Sequence, residues 1–139
     1  AMYAAGRGVG RDLAVASRWF EKSAEQGLAL GQAALASTFE KGRGRTRDFA
    51  QAARWYESAA AQGHIIAQYK LGVFYSRGNG VARNPEQAYF WYAVAAERDT
   101  GKLKKSAVKR RDRLAKTLTP ARKSSARKRA QDWRPDASR

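Results

Sequence analysis

With 139 residues and 43% apolar composition, the chain has the size of one ordinary domain. The absence of cysteine excludes a disulfide framework and a thiolate site, and a single histidine excludes a Cys/His metal cluster. The sequence contains no run of about 18 apolar residues, so no membrane-spanning helix is predicted. The net charge of +16 predicts attraction to anionic partners.

The sequence repeats with a period of 36 residues. Three residue types recur at this spacing in three copies, namely Gly6, Gly42 and Gly78, Trp19, Trp55 and Trp91, and Ala24, Ala60 and Ala96. A fixed period of about 20 to 50 residues is typical of stacked supersecondary units. Each unit is predicted to contain a helix, a Gly-x-Gly turn and a second helix. Function is therefore expected on surfaces rather than in a catalytic pocket.

The first copy, residues 1–28, is predicted to be truncated. Tyr3 aligns with Phe39, so only the last turn of its first helix precedes the predicted Gly-x-Gly turn at residues 6–8. Asp12 is then expected to cap the second helix. We therefore expect the chain to be a fragment of a larger protein, and an export signal, a membrane anchor or further repeats could lie upstream.

The second and third copies, residues 29–64 and 65–99, predict two helices each. Asp48 and Asn84 suit the N-caps of the second helices, because their side-chain oxygens can accept hydrogen bonds from free backbone amides. A stripe of aromatic residues and alanines at three- and four-residue spacing marks the buried face of each second helix. In the third copy this stripe comprises Ala88, Trp91, Tyr92, Ala95 and Ala96. All three repeat tryptophans are therefore predicted to be core residues.

The period fails beyond residue 99, but helical spacing continues. Leu103, Leu114 and other apolar residues predict one helix, and Thr119 followed by Pro120 predicts the N-cap and first turn of another. Residues 100–134 are expected to form a hairpin that covers the apolar face left open by the third repeat. Residues 135–139 are predicted to be a disordered tail.

These motifs resemble the Sel1-like repeat, a relative of the tetratricopeptide repeat. The third copy carries the likeness through Ala67-x-x-x-Leu71-Gly72-x-x-Tyr75-x-x-Gly78-x-Gly80 and then Ala88-x-x-Trp91-Tyr92-x-x-Ala95-Ala96. The second copy departs from it at Ala36 and Arg45. The resemblance covers residues 1–99 and implies an all-α fold, an α/α solenoid of helical hairpins that here ends in a basic C-terminal capping hairpin. It also implies a scaffold for protein complexes, often in bacterial envelope, signalling or polarity pathways, and no enzymatic activity.

The C-terminal segment is similar, through fewer residues, to the end of alphaproteobacterial polar localisation factors, whose periplasmic portion carries Sel1-like repeats. The likeness rests on Arg111, Asp112, Leu114, Ala115, Leu118, Thr119, Pro120 and Trp133. It implies a periplasmic or envelope-associated location and a role in cell polarity.

Positive charge is concentrated after residue 99, because residues 100–139 contain 15 Lys or Arg against three Asp. The candidate anion-binding residues on the two predicted basic helices are Lys104, Lys105, Lys109, Arg110, Lys123, Arg127 and Lys128. Three ligands stay open, namely anionic lipid, an anionic envelope polymer such as peptidoglycan, and an acidic protein. A fourth alternative is a solvated basic face that binds nothing. Sequence-specific binding of nucleic acid is not expected, since neither a base-reading helix nor an aromatic stacking platform is evident.

The first helices are expected to line the concave face, as they do in tetratricopeptide-type stacks. The predicted groove residues are Ile66, Tyr69, Val73, Ser76 and Arg77 in the third copy, and Leu30, Ala33, Ser37, Glu40 and Lys41 in the second. An apolar strip flanked by Lys41 and Arg77 suits an amphipathic or extended peptide with acidic ends. The alternative is that Ile66 and Val73 pack against a neighbouring helix.

No catalytic, cofactor or metal site is expected. Helix capping explains the recurrent Asp12, Asp48 and Asn84, and His64 at a repeat junction is more typical of a surface or packing residue than of a general base. The sequence is interpreted as a non-enzymatic scaffold that binds another protein or a peptide in its groove. Two alternatives stay open: an adaptor that binds peptidoglycan or anionic lipid through its basic helices, and an accessory module of an enzyme encoded upstream in the full-length chain.

Overall fold

The computed structural model describes residues 7–136, except for the side chains of residues 7–11 and 13. Within this part of the chain there are seven α-helices and no strands, which confirms the all-α prediction. Their bounds are α1 Arg7–Glu25, α2 Ala29–Lys41, α3 Phe49–Ala61, α4 Ile65–Arg77, α5 Pro85–Arg98, α6 Lys102–Ala115 and α7 Pro120–Asp132. Helices α1 to α5 pack in chain order, each against the next, and both α6 and α7 pack on α5.

The helix ends of the second and third copies follow from local chemistry. Gly42 and Gly78 end α2 and α4 in the left-handed conformation, with φ of 70° and 76°, which glycine adopts without steric cost. Asp48 and Asn84 each accept a hydrogen bond of 3.1 Å from the backbone amide three residues later. Each side chain thereby satisfies one of the free donors at a helix start. The N-caps predicted for these two copies are confirmed.

The turn predicted in the first copy is wrong. Helix α1 continues through residues 7–12, so Asp12 lies inside a helix rather than at an N-cap, and residue 6 lies outside the described residues. In the third copy the equivalent glycine, Gly80, packs directly on the backbone of Phe49 in the preceding repeat. Gly8 instead lies within α1.

Helix α5 is buried on all sides. Its nine consecutive residues from Ala88 to Ala96 are buried, because α4, α6 and α7 all pack against it. The predicted stripe is therefore only part of the buried surface, and Tyr89, Phe90, Ala93 and Val94 belong to it too. A helix that is apolar all round is typical of one surrounded by other helices. Helices α6 and α7 thus cover the end of the repeat array from two sides of α5.

The three repeat tryptophans differ in burial. Trp91 is 9% exposed, and its ring centroid lies 6.5 Å from that of Trp133, which directly follows α7. Trp55 is half-buried, and Trp19 is 66% exposed. Trp91 has neighbours from an earlier repeat, because Glu57 of α3 lines the same small cavity as Trp91. Among the described residues no helix precedes α1, so none covers Trp19 from that side. The prediction of a core position is correct for Trp91, correct in part for Trp55, which is half-buried against the core, and wrong for Trp19.

The chain after α7 returns to the end of α3. The backbone amide of Asp136 donates a 2.6 Å hydrogen bond to the carbonyl oxygen of Ala61. The Arg98 guanidinium lies 5.0 Å from the Trp133 ring centroid, a cation–π distance. Residues 135 and 136 are therefore held in place, in contrast to the predicted disordered tail, and residues 137–139 lie outside the described part of the chain.

His64 caps α4, a role that the sequence did not reveal. Its Nδ1 accepts a 3.1 Å hydrogen bond from the backbone amide of Ala67. Burial lowers the pKa of His64, which favours the neutral ring that can accept this hydrogen bond. The residue is structural rather than a general base.

Candidate functional site

Helix α6 covers the part of α4 on which the sequence predicts a groove. The Tyr69 hydroxyl and Ser106 Oγ are joined by a hydrogen bond of 2.6 Å. On the same ring, the Arg110 guanidinium lies 5.7 Å from the centroid. The Tyr69 ring also packs against Tyr92 with a centroid distance of 5.5 Å. Tyr69 therefore joins α4 to α5 and α6.

The other predicted groove residues of the third copy separate into buried and exposed positions. Val73 is buried, and Ser76 Oγ donates a 3.0 Å hydrogen bond to its carbonyl oxygen. Ile66 is 56% exposed, and Arg77 is also exposed. An accessible groove at Tyr69 and Val73 is therefore wrong, because neighbouring helices occupy that space. The alternative that Val73 packs inside is correct, and Ile66 stays on the surface.

The predicted groove residues of the second copy divide in the same way. Leu30 is 76% exposed and Lys41 is exposed, whereas Ala33 is buried and Ser37 is half-buried. Leu30 and Ile66 are the second residues of α2 and α4 and lie 36 positions apart. The two exposed apolar side chains thus occupy one position of successive repeats.

Glu40, also predicted to line the groove, joins three helices instead. Its carboxylate accepts hydrogen bonds of 2.7 Å from the Tyr56 hydroxyl and 3.0 Å from Lys70 Nζ. Burial, reinforced by Glu40, raises the pKa of Tyr56 and keeps the phenol protonated as a donor. Because both carboxylate oxygens of Glu40 accept hydrogen bonds from side chains of α3 and α4, they are not available to a ligand.

Most of the predicted anion-binding residues are on the surface. The exposed ones are Lys104, Lys105, Lys109, Lys123, Arg127 and Lys128. Lys128 is paired with Asp132 at 3.2 Å, and the others make no ion pair with a residue that the structure describes. Arg110 differs, because it is half-buried beside Tyr69.

A cleft of about 230 Å³ lies among α5, α6 and α7. Arg111, Lys123 and Arg127 contribute positive charge to it, and Glu97 and Asp112 contribute negative charge. Arg111 is paired with Asp112 at 3.0 Å. Because charges of both signs line this cleft, its attraction for a free anion is weak.

A second cleft, of about 220 Å³, opens between α4 and α6 beside α5, and we term it the arginine cleft. Its polar lining consists of Ser76, Arg83, Tyr92, Arg110, Arg113 and Thr117. No carboxylate among the described residues lines it. Arg83 Nε donates a 3.2 Å hydrogen bond to the backbone carbonyl of Ser76, which orients this guanidinium. The arginine cleft therefore concentrates positive charge without an internal counter-ion.

The Tyr92 hydroxyl lies at the inner wall of the arginine cleft. Tyr92 is only 1% exposed, and its hydroxyl has no hydrogen-bond partner among the described residues. Burial raises the pKa of Tyr92, and the neighbouring Ser76 and Arg110 act in the opposite direction. The ring itself is held against Gly72, where an added Cβ would lie 2.6 Å from two ring carbons. The Tyr92 ring is thus fixed, and its hydroxyl has Ser76 and Arg110 as neighbours but forms no hydrogen bond of good geometry with a described residue.

The arginine cleft is not predicted from the sequence. The sequence patterns place Ser76 in the predicted groove, Arg110 among the anion-binding residues and Tyr92 in the buried stripe, and do not bring the three together. The spacing of Arg110 and Arg113 places both on one face of α6 and is the signal that points to a shared site. That Arg83 faces them depends on the packing of α4 against α6, which spacing does not reveal.

No other chemistry stands out in the described part of the chain. It holds no group of three or more His, Cys, Asp or Glu side chains placed to bind a metal ion. None of its helices combines the length and apolar character needed to cross a bilayer. The Tyr75 hydroxyl donates a 2.8 Å hydrogen bond to Glu57, and burial together with this carboxylate raises the pKa of Tyr75 to about 12. This phenol is therefore protonated at neutral pH and is not an activated nucleophile.

Comparisons with known proteins agree with this architecture. The Sel1 repeat family model matches residues 1–28, 29–64 and 65–99. A protective antigen of uropathogenic Escherichia coli strains, which displays an SLR fold, superposes with a TM-score of 0.78 and 33% identity over 85% of this chain and 25% of that chain. A Sel1 repeat protein from Oxalobacter formigenes superposes with a TM-score of 0.62 and 40% identity over 66% of this chain and 69% of that chain.

The lengths of these proteins differ from that of this chain, which spans about a quarter of the Escherichia coli antigen. No curated protein matches the sequence. The family model nevertheless matches three consecutive segments over residues 1–99, and the helices stack as those repeats require. This chain belongs to the Sel1 repeat family.

Proposed function

We propose that this chain is a non-enzymatic scaffold that binds another protein through its first helices. Sel1 repeat proteins are generally protein-interaction scaffolds. The observation that carries the proposal is the pair of exposed apolar residues, Leu30 and Ile66, at one position of successive repeats. Exposed apolar surface marks an interaction site when it is contiguous, and the equivalent positions of Leu30 and Ile66 in successive repeats suit a partner segment that spans both.

Positive charge at the opposite ends of these two helices favours a partner segment with acidic ends. Lys41 and Arg77 are exposed at the far ends of α2 and α4, in helices whose second residues are Leu30 and Ile66. A bound amphipathic or extended peptide could place apolar residues on the apolar pair and carboxylates beside the two cations. The binding surface is smaller than the predicted groove, since Tyr69 and Val73 are not part of it.

Substituting the exposed apolar pair tests this scaffold. The double variant Leu30→Asp, Ile66→Asp should lose at least one protein that the wild-type chain retains from a bacterial envelope extract, because it buries charge where an apolar contact forms. The double variant Val15→Asp, Trp19→Asp is the matched control, since these side chains on α1 are 42% and 66% exposed. Retained proteins are identified by mass spectrometry, and helicity is checked by circular dichroism. Equal retention by all three chains would contradict the proposal.

A second candidate function is an adaptor for an anionic envelope component, either peptidoglycan or anionic lipid. It is favoured by the exposed cations of α6 and α7 that have no ion pair within the described residues, including Lys104, Lys109 and Lys123. The likeness of the C-terminal segment to polar localisation factors supports the same periplasmic or envelope location and a role in cell polarity within a larger bacterial protein. An accessory role beside an enzyme in a longer chain would use the same surfaces.

Charge reversal on α7 tests the adaptor. Wild-type protein should pellet with peptidoglycan or anionic vesicles at low salt and lose most binding near 0.5 M salt, where exposed charges are screened within about 4 to 5 Å. The variant with Lys123, Arg127 and Lys128 all changed to Glu should fail to pellet. Its thermal stability should barely change, since exposed charges contribute little.

The matched control for this test reverses three exposed arginines far from α7, namely Arg18, Arg43 and Arg54. It changes the net charge by the same amount, so any difference between the two variants reports position rather than total charge. If the α7 variant pelleted at the wild-type level, the adaptor function would be contradicted, and the cations of α7 would be a solvated basic face.

A further inference from the structure

The arginine cleft contains a buried donor without an acceptor. The Tyr92 hydroxyl is enclosed by the fold, yet nothing among the described residues accepts its proton. Buried hydroxyls are nearly always hydrogen-bonded, because leaving one unpaired costs about 1–3 kcal/mol. A fold that fixes this ring against Gly72 and leaves its hydroxyl unsatisfied at the wall of a cleft has a place for an acceptor.

The guanidinium groups around this hydroxyl are partly preorganised. Arg110 is held over the Tyr69 ring at 5.7 Å, and Arg83 is tied to the carbonyl of Ser76 at 3.2 Å. Arg113 is exposed at the mouth and has no ion pair with a described residue. Side chains that are already oriented lose little conformational freedom when a ligand binds. Two of the three guanidinium groups that line the arginine cleft are therefore already oriented.

The donors outnumber what a carboxylate can use. Each guanidinium offers five N–H donors, and Tyr92 adds a hydroxyl, whereas a carboxylate has only two oxygens. A phosphate monoester offers three strong acceptor oxygens and a charge of about −1.5 to −2 at neutral pH. Arginine binds phosphate in a bidentate manner and is the preferred residue for this group. The volume of about 220 Å³ is several times the roughly 30 Å³ that one water occupies in the liquid, so a tetrahedral phosphate fits.

We propose that the arginine cleft binds a phosphate monoester carried on a phosphorylated side chain of the partner protein. The mouth of the cleft is formed by exposed Arg113 and Thr117, so a phosphate attached to a larger body can enter. The cleft opens between α4 and α6, and α4 also carries the exposed Ile66 of the proposed protein-binding surface. The choice of a protein as the source of the phosphate rests on the proposed scaffold function.

The test adds the blocked tripeptide Ala-phosphoserine-Ala to the full chain at constant ionic strength, and titration calorimetry measures the binding. We expect saturable binding at least about tenfold tighter than that of Ala-Glu-Ala, since each charge-assisted hydrogen bond contributes about 1.5–3 kcal/mol. Equal or absent binding of the two tripeptides would overturn the proposal. Binding of vesicles that contain phosphatidic acid but not of the phosphotripeptide would also overturn it.

Two substitutions locate the binding. Tyr92→Phe should weaken phosphotripeptide binding about tenfold while leaving the unliganded chain as stable as wild type or more so, because it removes only the unpaired hydroxyl. Arg113→Gln should weaken binding by a similar factor, whereas Arg122→Gln, the same charge change at an exposed site on α7, should not. Equal losses in the two arginine variants would show attraction by net charge alone and overturn the site.

The failure of this proposal and that of the scaffold are distinguishable. The tripeptide carries no apolar anchor, so its binding does not depend on Leu30 or Ile66. Loss of protein retention in the Leu30→Asp, Ile66→Asp variant with unchanged tripeptide affinity would support both proposals. Absent tripeptide binding with intact protein retention would remove only the phosphate site.

Discussion

Replacing Trp91 by alanine is expected to lower the free energy of unfolding by about 3–5 kcal/mol, the usual cost of truncating a large buried aromatic residue. Trp91 lies on α5, against which α4, α6 and α7 all pack, and its ring centroid lies 6.5 Å from that of Trp133, the residue that directly follows α7. The substitution would remove one of the contacts that join the C-terminal segment to α5, beside others such as the Arg129–Glu86 ion pair. Urea melts followed by circular dichroism measure the change.

The repeat itself supplies the control for this experiment. Trp19→Ala is the identical substitution at the equivalent position of the first copy, where the side chain is 66% exposed, and it should cost less than about 0.5 kcal/mol. Trp55→Ala should fall between the two, because Trp55 is half-buried. If Trp91→Ala melted like the wild type, the packing of α7 on α5 would be wrong.

Gly80→Ala is expected to cost about 2–5 kcal/mol for two reasons. The φ of Gly80 is +68°, and the left-handed conformation costs about 1–2 kcal/mol for a residue with a Cβ. The added Cβ would also overlap the carbonyl group of Phe49 and lie 2.6 Å from the backbone nitrogen of Ala50. Because these neighbours are backbone atoms, relieving the overlap requires the repeats to shift, at about 1–3 kcal/mol. Urea melts again provide the measurement.

Two further glycines separate these causes. Gly78 has a similar φ of +76°, but an added Cβ there would meet the Arg83 Cβ at an ordinary 3.4 Å, so Gly78→Ala should show only the conformational cost. At Gly101 the nearest atom is 3.9 Å away and φ is negative, so Gly101→Ala should be nearly neutral. A Gly80→Ala variant no less stable than Gly78→Ala would contradict the close approach of successive repeats.

The regular part of the fold could be predicted from the sequence because its signals are local. The period, the N-cap residues Asp48 and Asn84 and the glycines that end α2 and α4 each act within one helical turn. The same local signal fails in the first copy, where Gly8 lies within α1 and the predicted turn is absent. The Gly-x-Gly pattern therefore gives a turn at Gly80, which packs on the backbone of Phe49, and a continuous helix at Gly8.

The candidate site was harder to predict because it depends on which helix covers which face. The sequence did contain a signal that α5 would be enclosed. At three equivalent positions α3 carries Arg54, Glu57 and Ser58, whereas α5 carries Phe90, Ala93 and Val94. Apolar residues in place of polar ones on the outer face indicate that another helix must pack there. They do not indicate that α6 would cover Tyr69 and form the arginine cleft with α4.

The complete enclosure of α5 determines where this array can lengthen. A further hairpin inserted after residue 99 would need the surfaces of α5 that α6 and α7 occupy, and would separate Trp133 from Trp91. Duplication of an internal hairpin, such as residues 29–64, leaves those surfaces intact. Growth of the array, by gene duplication or by engineering, is therefore confined to the units that precede α5.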